Sequence, residues 1–180
     1  MIKLPYFASN FMHIPDGFLS VFVSIIFWVL SILLLIKALR KTNQLLQDRQ
    51  VPLMGVLAAA IFAGQMLNFT VIGGTSGHLL GAALATILLG PWPAVVVMTS
   101  VVSMQALIFQ DGGLLALGAN IFNMAIIGVF VSYSVYNIFL RLLGRKQWGI
   151  TISGFLAAWS SILVASLACA LQLTISGTSP

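Results

Sequence analysis

LSVFVSIIFWVLSILLLIKAL, running from Leu19 to Leu39, carries a single charge, Lys37, and is followed directly by Arg40 and Lys41. An apolar helix of about 20 residues crosses the roughly 30 Å hydrocarbon core of a bilayer. It is too long for the apolar core of a secretory signal. Residues 1 to 18 hold one lysine, are broken by Pro5 and Pro15, and offer no small-residue cleavage site, so no cleaved signal is expected.

Outward from this stretch the pattern repeats. Over 180 residues the chain is 60% hydrophobic and 6% charged, with a mean hydropathy of +1.10, whereas a soluble domain carries roughly a quarter charged residues. A water-soluble fold of this size cannot hide so much apolar surface. Further spans are expected at about Val51 to Phe69, a short one at Leu79 to Leu89 that ends where Pro91 and Pro93 break the helix, then Ala94 to Phe109, Leu114 to Leu140 and Gly149 to Ile175. The expected fold is an all-α membrane protein of about six transmembrane helices.

Charge placement orients it. Lys37, Arg40, Lys41 and Arg49 cluster in the first polar segment, and Arg141, Arg145 and Lys146 in the last. Short basic loops between apolar runs face the cytoplasm, and four spans separate the first loop from the second, which leaves both on one side. Membrane orientation therefore accounts for the net charge of +5, and nucleic acid is not an expected partner. By alternation the N-terminus, the glycine-rich segment ending at His78 and the turn at Gln110-Asp111-Gly112-Gly113 share the extracytoplasmic face. Cys169 is alone in an apolar run, which suits a small packing residue.

Both histidines, His13 and His78, fall on that face beside glycine or proline, where the backbone leaves helix. Irregular backbone at membrane depth survives only where it is buried in protein or lines a polar cavity, so each histidine is either a helix-end or headgroup residue or part of a binding site. If Met12 begins the chain, its α-amine, the His13 amide nitrogen and His13 Nδ1 form adjoining five- and six-membered chelate rings. His78 can complete four nitrogens in a plane, a set suited to Ni(II) or Cu(II) and, with distortion, Co(II). The amide must lose its proton, so affinity should fall in acid.

Asn68, Asn120 and Asn123 could orient those histidines by hydrogen bonds or bond helix to helix. Asp16 and Asp111 could hold a histidine ring or serve as turn residues. Gly77, Gly81 and Ala85 recur every four residues, a small-residue stripe suited to close helix packing, inside the subunit in preference to against a partner protein. Gly73-Gly74-Thr75-Ser76-Gly77 lacks the Gly-Lys-Ser/Thr ending of a nucleotide loop. No nucleophile and base are spaced for catalysis, so an intramembrane enzyme is disfavoured.

Met12-His13-Ile14-Pro15-Asp16-Gly17-Phe18-Leu19, Gly73 to His78, Leu88-Leu89-Gly90-Pro91-Trp92 and Gly112 to Met124 together closely resemble the cobalt/nickel S components of energy-coupling factor (ECF) transporters, the CbiM/NikM family. The resemblance covers nearly all of residues 12 to 175. It implies a single transmembrane metal-binding domain over 12–180, preceded by an extension at 1–11, in the inner (plasma) membrane of a prokaryote. It also implies metal ligands at Met12, His13 and His78. The cargo is Ni(II) or Co(II), with no other cofactor. The implied partners are lipid, a transmembrane coupling subunit, ATP-binding subunits that hydrolyse the nucleotide, and a small accessory membrane subunit. Family members often carry a further C-terminal span. An S component or permease for a small organic solute such as a vitamin is the alternative, which would call for more aromatic and polar residues in the outer loops.

A free amine at Met12 requires that the functional chain start there and not at Met1. N-terminal or intact-mass analysis of the native protein should show Met12 first; a chain that keeps Met1 and binds metal at full affinity would refute the four-nitrogen set.

Overall fold

The stretch from Leu19 to Leu39 forms α1, Val21–Leu45, in a computed structural model that describes residues 13–45, 50–67, 69–71, 75–77 and 79–177, with 69–71 and 75–77 described by backbone alone. Met12, Asn68 and His78 lie outside the described residues. Ser20 starts the helix, its Oγ accepting the Val23 N–H at 3.3 Å, as an N-cap residue does. At the other end α1 continues past Leu39 through Arg40 and Lys41, because Lys and Arg are good helix formers and can extend their charges beyond the apolar layer.

The remaining elements are α2 (Gln50–Met66), a short antiparallel hairpin of β1 (Phe69–Val71) and β2 (Thr75–Gly77), α3 (Ala82–Leu89), α4 (Pro91–Ile108), α5 (Leu117–Ile121), a π-helical turn (Phe122–Ile127), α6 (Gly128–Leu143) and α7 (Gln147–Ser176). Among the described residues six apolar helical segments follow in the expected order. Four are long and apolar enough to cross a membrane: Val21–Leu45, Pro91–Ile108, Leu117–Leu143 and Gln147–Ser176. Helix α2 has 17 residues. Helix α3 has only eight, about 12 Å at 1.5 Å per residue, which is less than half a bilayer.

Two local expectations are corrected. Pro91 and Pro93 do not break a helix but begin one: α4 starts at Pro91, since first-turn N–H groups have no intrahelical partner to lose. The turn sits at Gly90, whose φ of +81° is readily adopted only by glycine. The stripe of Gly77, Gly81 and Ala85 is likewise not one helix face. Gly77 ends β2, Gly81 has φ +79° and abuts Ile61 of α2, and Ala85 is buried in α3. Gly81 and Ala85 nonetheless pack inside the subunit.

Helix α4 is the centre of the bundle. It packs on α1, α2, α3, α5 and α6, and 56% of its apolar window is buried, against 22% for α1 and 17% for α7. Its inward residues are small or unbranched, including Ala94, Val97, Met98, Val101 and Ala106, which lets several helices approach it. Helices α1 and α7 turn Phe22, Leu33, Phe155 and Leu167 outward, as lipid-facing helices do.

Helix α5 meets α1 most closely at Gly118. A Cβ there would lie 2.6 Å from the Trp28 Cα and backbone nitrogen, and Ser31 Oγ donates to the Gly118 carbonyl at 2.7 Å. Gly118→Val should force these backbones apart and cost about 1–3 kcal/mol, the usual range for overpacking. A wild-type thermal midpoint for this variant in detergent would show that the contact is dispensable.

Candidate functional site

Residues 13–20 run as irregular backbone across the start of α5, and His13 and Ile14 are buried. Such a segment has no helical ladder, so its peptide groups need other partners. Asn120 supplies two. Its Oδ1 accepts the Ile14 N–H at 3.0 Å and its Nδ2 donates to the Ile14 carbonyl at 3.1 Å, a buried two-point clamp on one residue. The Gly113 N–H adds a second bond to the Ile14 carbonyl at 3.0 Å.

Asp16 fastens the same segment two residues on. One carboxylate oxygen accepts the Leu115 N–H at 2.8 Å and the Ala116 N–H at 3.2 Å, and the other accepts the Leu114 N–H at 3.0 Å. These are amides of the turn leading into α5, where a carboxylate is favoured by the exposed N–H groups and the helix dipole. Leu114 to Leu117 contains no capping side chain of its own, so the cap comes from about 100 residues away in sequence.

His13 Nδ1 lies 3.3 Å from Asp111 Oδ1. Asp111 stands in the turn after α4, its N–H donating to the Gln105 carbonyl at 3.1 Å. Backbone with positive φ on either side, Gln110 at +54° and Gly112 at +100°, bends this turn towards the ring. The next two positions admit no side chain. A Cβ on Gly112 would lie 2.7 Å from His13 Cβ, and one on Gly113 would overlap Asp16. The Gly112-Gly113 pair is therefore the cradle of the N-terminal segment.

Four of the sequence-derived residues can thus be placed. His13, Asp16 and Asn120 come together at the start of α5. Asn123 does not join them: its amide pairs reciprocally with Gln172 of α7 at 2.8 and 2.7 Å, so it bonds helix to helix. Among the described residues no three His, Cys, Asp or Glu side chains gather in a metal-holding group. Sequence reading took Gly112 and Gly113 only as a turn and did not link Asp16 with residues 114–116. A helix beginning at Leu117 without a cap of its own was the available signal for the second.

Comparison with known proteins bears on this arrangement. A family profile described as CbiM, cobalt uptake substrate-specific transmembrane region, matches residues 13–180. A Haloquadratum walsbyi protein provisionally named a metal transport protein is 43% identical over 92% of this chain and 73% of its own. A fused nickel transport protein NikMN of Rhodobacter capsulatus is 34% identical over 91% of this chain. The chain spans only 47% of that fused protein's length. A crystal structure of a truncated transition metal transporter superposes with a TM-score of 0.79 at 39% identity, covering 90% of this chain and 74% of the other.

Replacing Asn120 by Leu strands the N–H and one lone pair of the carbonyl of Ile14 in a buried place. The expected cost is about 1–3 kcal/mol for each unsatisfied group, read as a lower thermal midpoint and faster proteolysis near residues 13–20. Wild-type values for both would refute the clamp.

Proposed function

Because the chain belongs to the CbiM family, matched over residues 13–180, we propose that it is the substrate-binding S component of an ECF importer, capturing Ni(II) or Co(II) from the extracytoplasmic side for ATP-driven uptake. The observation that carries this reading is the buried His13 ring, held in a segment fixed by Asn120 and Asp16 and faced by the carboxylate of Asp111.

The proposed ligands are the Met12 amine, the His13 amide and ring nitrogens, and the His78 ring. The chelate uses His13 Nδ1, the nitrogen that faces Asp111 at 3.3 Å, so binding exchanges that contact for a metal bond. Asp111 keeps the ring in place beforehand and its charge favours an arriving cation. A vitamin-sized solute would need a cavity of several hundred Å³, and the relatives' names point to metals.

The proposed orientation places the N-terminal segment outside and the basic residues Lys37, Arg40, Lys41, Arg141, Arg145 and Lys146 inside, at the far end of α1 and in the α6–α7 turn. The subunit would sit in the plasma membrane of a prokaryote, with a transmembrane coupling subunit, ATP-binding subunits and a small accessory membrane subunit as partners. Nucleotide hydrolysis belongs to those partners, and this chain performs no catalysis.

Purified protein beginning at Met12 should bind about one Ni(II) or Co(II) per chain, and His13→Ala or His78→Ala should abolish binding. Undiminished binding in His78→Ala would remove that residue from the site.

A further inference from the structure

Two fully buried glutamines stand where an apolar pair would fill the space. Gln65, in the last turn of α2, donates through Nε2 to the Leu80 carbonyl at 2.6 Å. Its Oε1 accepts from Gln105 Nε2 of α4 at 2.9 Å. The backbone carbonyl of Gln105 accepts the N–H groups of Phe109 and Asp111, both at 3.1 Å. Gln105 Oε1 has no partner among the described residues, so the pair keeps an acceptor to spare.

The connections run in one direction. Leu80 is two residues beyond His78, and Asp111 is the residue whose carboxylate meets His13. The amide pair therefore ties Leu80 to the last turn of α4, whose Gln105 backbone carbonyl in turn receives the Asp111 N–H. Neither amide caps its own helix, since the bonds pass from α4 to α2 and from α2 to a loop carbonyl. Buried polar side chains in a membrane protein are costly and tend to mark function.

We infer that the Gln65–Gln105 pair is a spacer that sets the separation of Leu80 from the Asp111 turn that faces His13, and so fixes the geometry of metal capture. This inference rests on the capture reading above. Both glutamines are positioning residues, acting through Leu80 and Asp111 without touching the ion. If two loops must be held to make one planar ligand set, loss of either amide loosens the set without removing a ligand.

The test uses protein beginning at Met12 in detergent, Ni(II) alone as the probe, and the near-isosteric variants Gln65→Met, Gln105→Met and the double variant. Nickel affinity should fall about 10- to 100-fold, as for other residues that orient metal ligands. The d–d absorption band of bound Ni(II) should shift as the planar set relaxes. The double variant should lose no more than the worse single, because the two side chains act as one unit. Wild-type affinity with an unchanged band in both single variants overturns the inference, as does a double variant whose loss is the product of the singles. Should a methionine variant fail to fold, Gln65→Asn keeps the amide but withdraws it by one methylene from Leu80; the same loss and band shift support the spacer, and unchanged affinity overturns it. His13→Ala separates the two readings. If it binds nickel as wild type does, the capture reading falls and takes the spacer with it; if it loses binding while the glutamine variants do not, only the spacer falls.

Discussion

Residues 13–20 place an irregular, partly buried backbone in a protein whose surroundings offer little water, and every peptide group in such a place must find a partner inside the protein. The Asn120 amide meets this demand at Ile14 by imitating a strand neighbour, one donor and one acceptor to a single residue. Much of the local structure is arranged around that bond. Gly112 and Gly113 let the segment approach, Asp16 caps the turn before α5, and Gly118 with Ser31 seats α5 against α1.

The same demand organises the interior of the bundle. Hydroxyls on helices return their protons to carbonyls one turn back, as Thr86 does to Ala82 and Ser132 to Gly128. Side-chain amides instead reach between elements: Asn123 to Gln172, Gln105 to Gln65 and Gln65 to Leu80. Helix association in a membrane draws little from the hydrophobic effect and relies on close packing and such bonds, worth about 1–2 kcal/mol at most. A few amides therefore suffice to join elements distant in sequence, provided that small residues such as those of α4 bring the helices close.

A metal-capturing subunit needs ligands that wait in place and still let an ion in. A ring buried beside a carboxylate, on a backbone clamped from three directions, is held without being sealed by a helix or strand of its own. Rigidity comes from α4 and α5, and the proposed ligand His13 rides on irregular chain at their ends. Membership of the CbiM family and the likeness to a transition metal transporter fit that division of labour.

Composition and periodicity alone determined the class of this protein and the order of its apolar segments, because lipid imposes length and hydropathy on each segment separately. They also singled out His13, since a histidine beside proline and glycine in so apolar a chain stands out locally. What only the tertiary structure decided were relations between distant residues: Asp16 with Leu114 to Ala116, Asn120 with Ile14, Asn123 with Gln172. No local pattern encodes which of several buried amides will face which backbone. Helix ends were misjudged for a related reason, because Pro91 and Pro93 act as breakers or starters according to the turn that precedes them. Local sequence sets what each segment can be, and the need to satisfy every buried polar group selects the one packing that joins them.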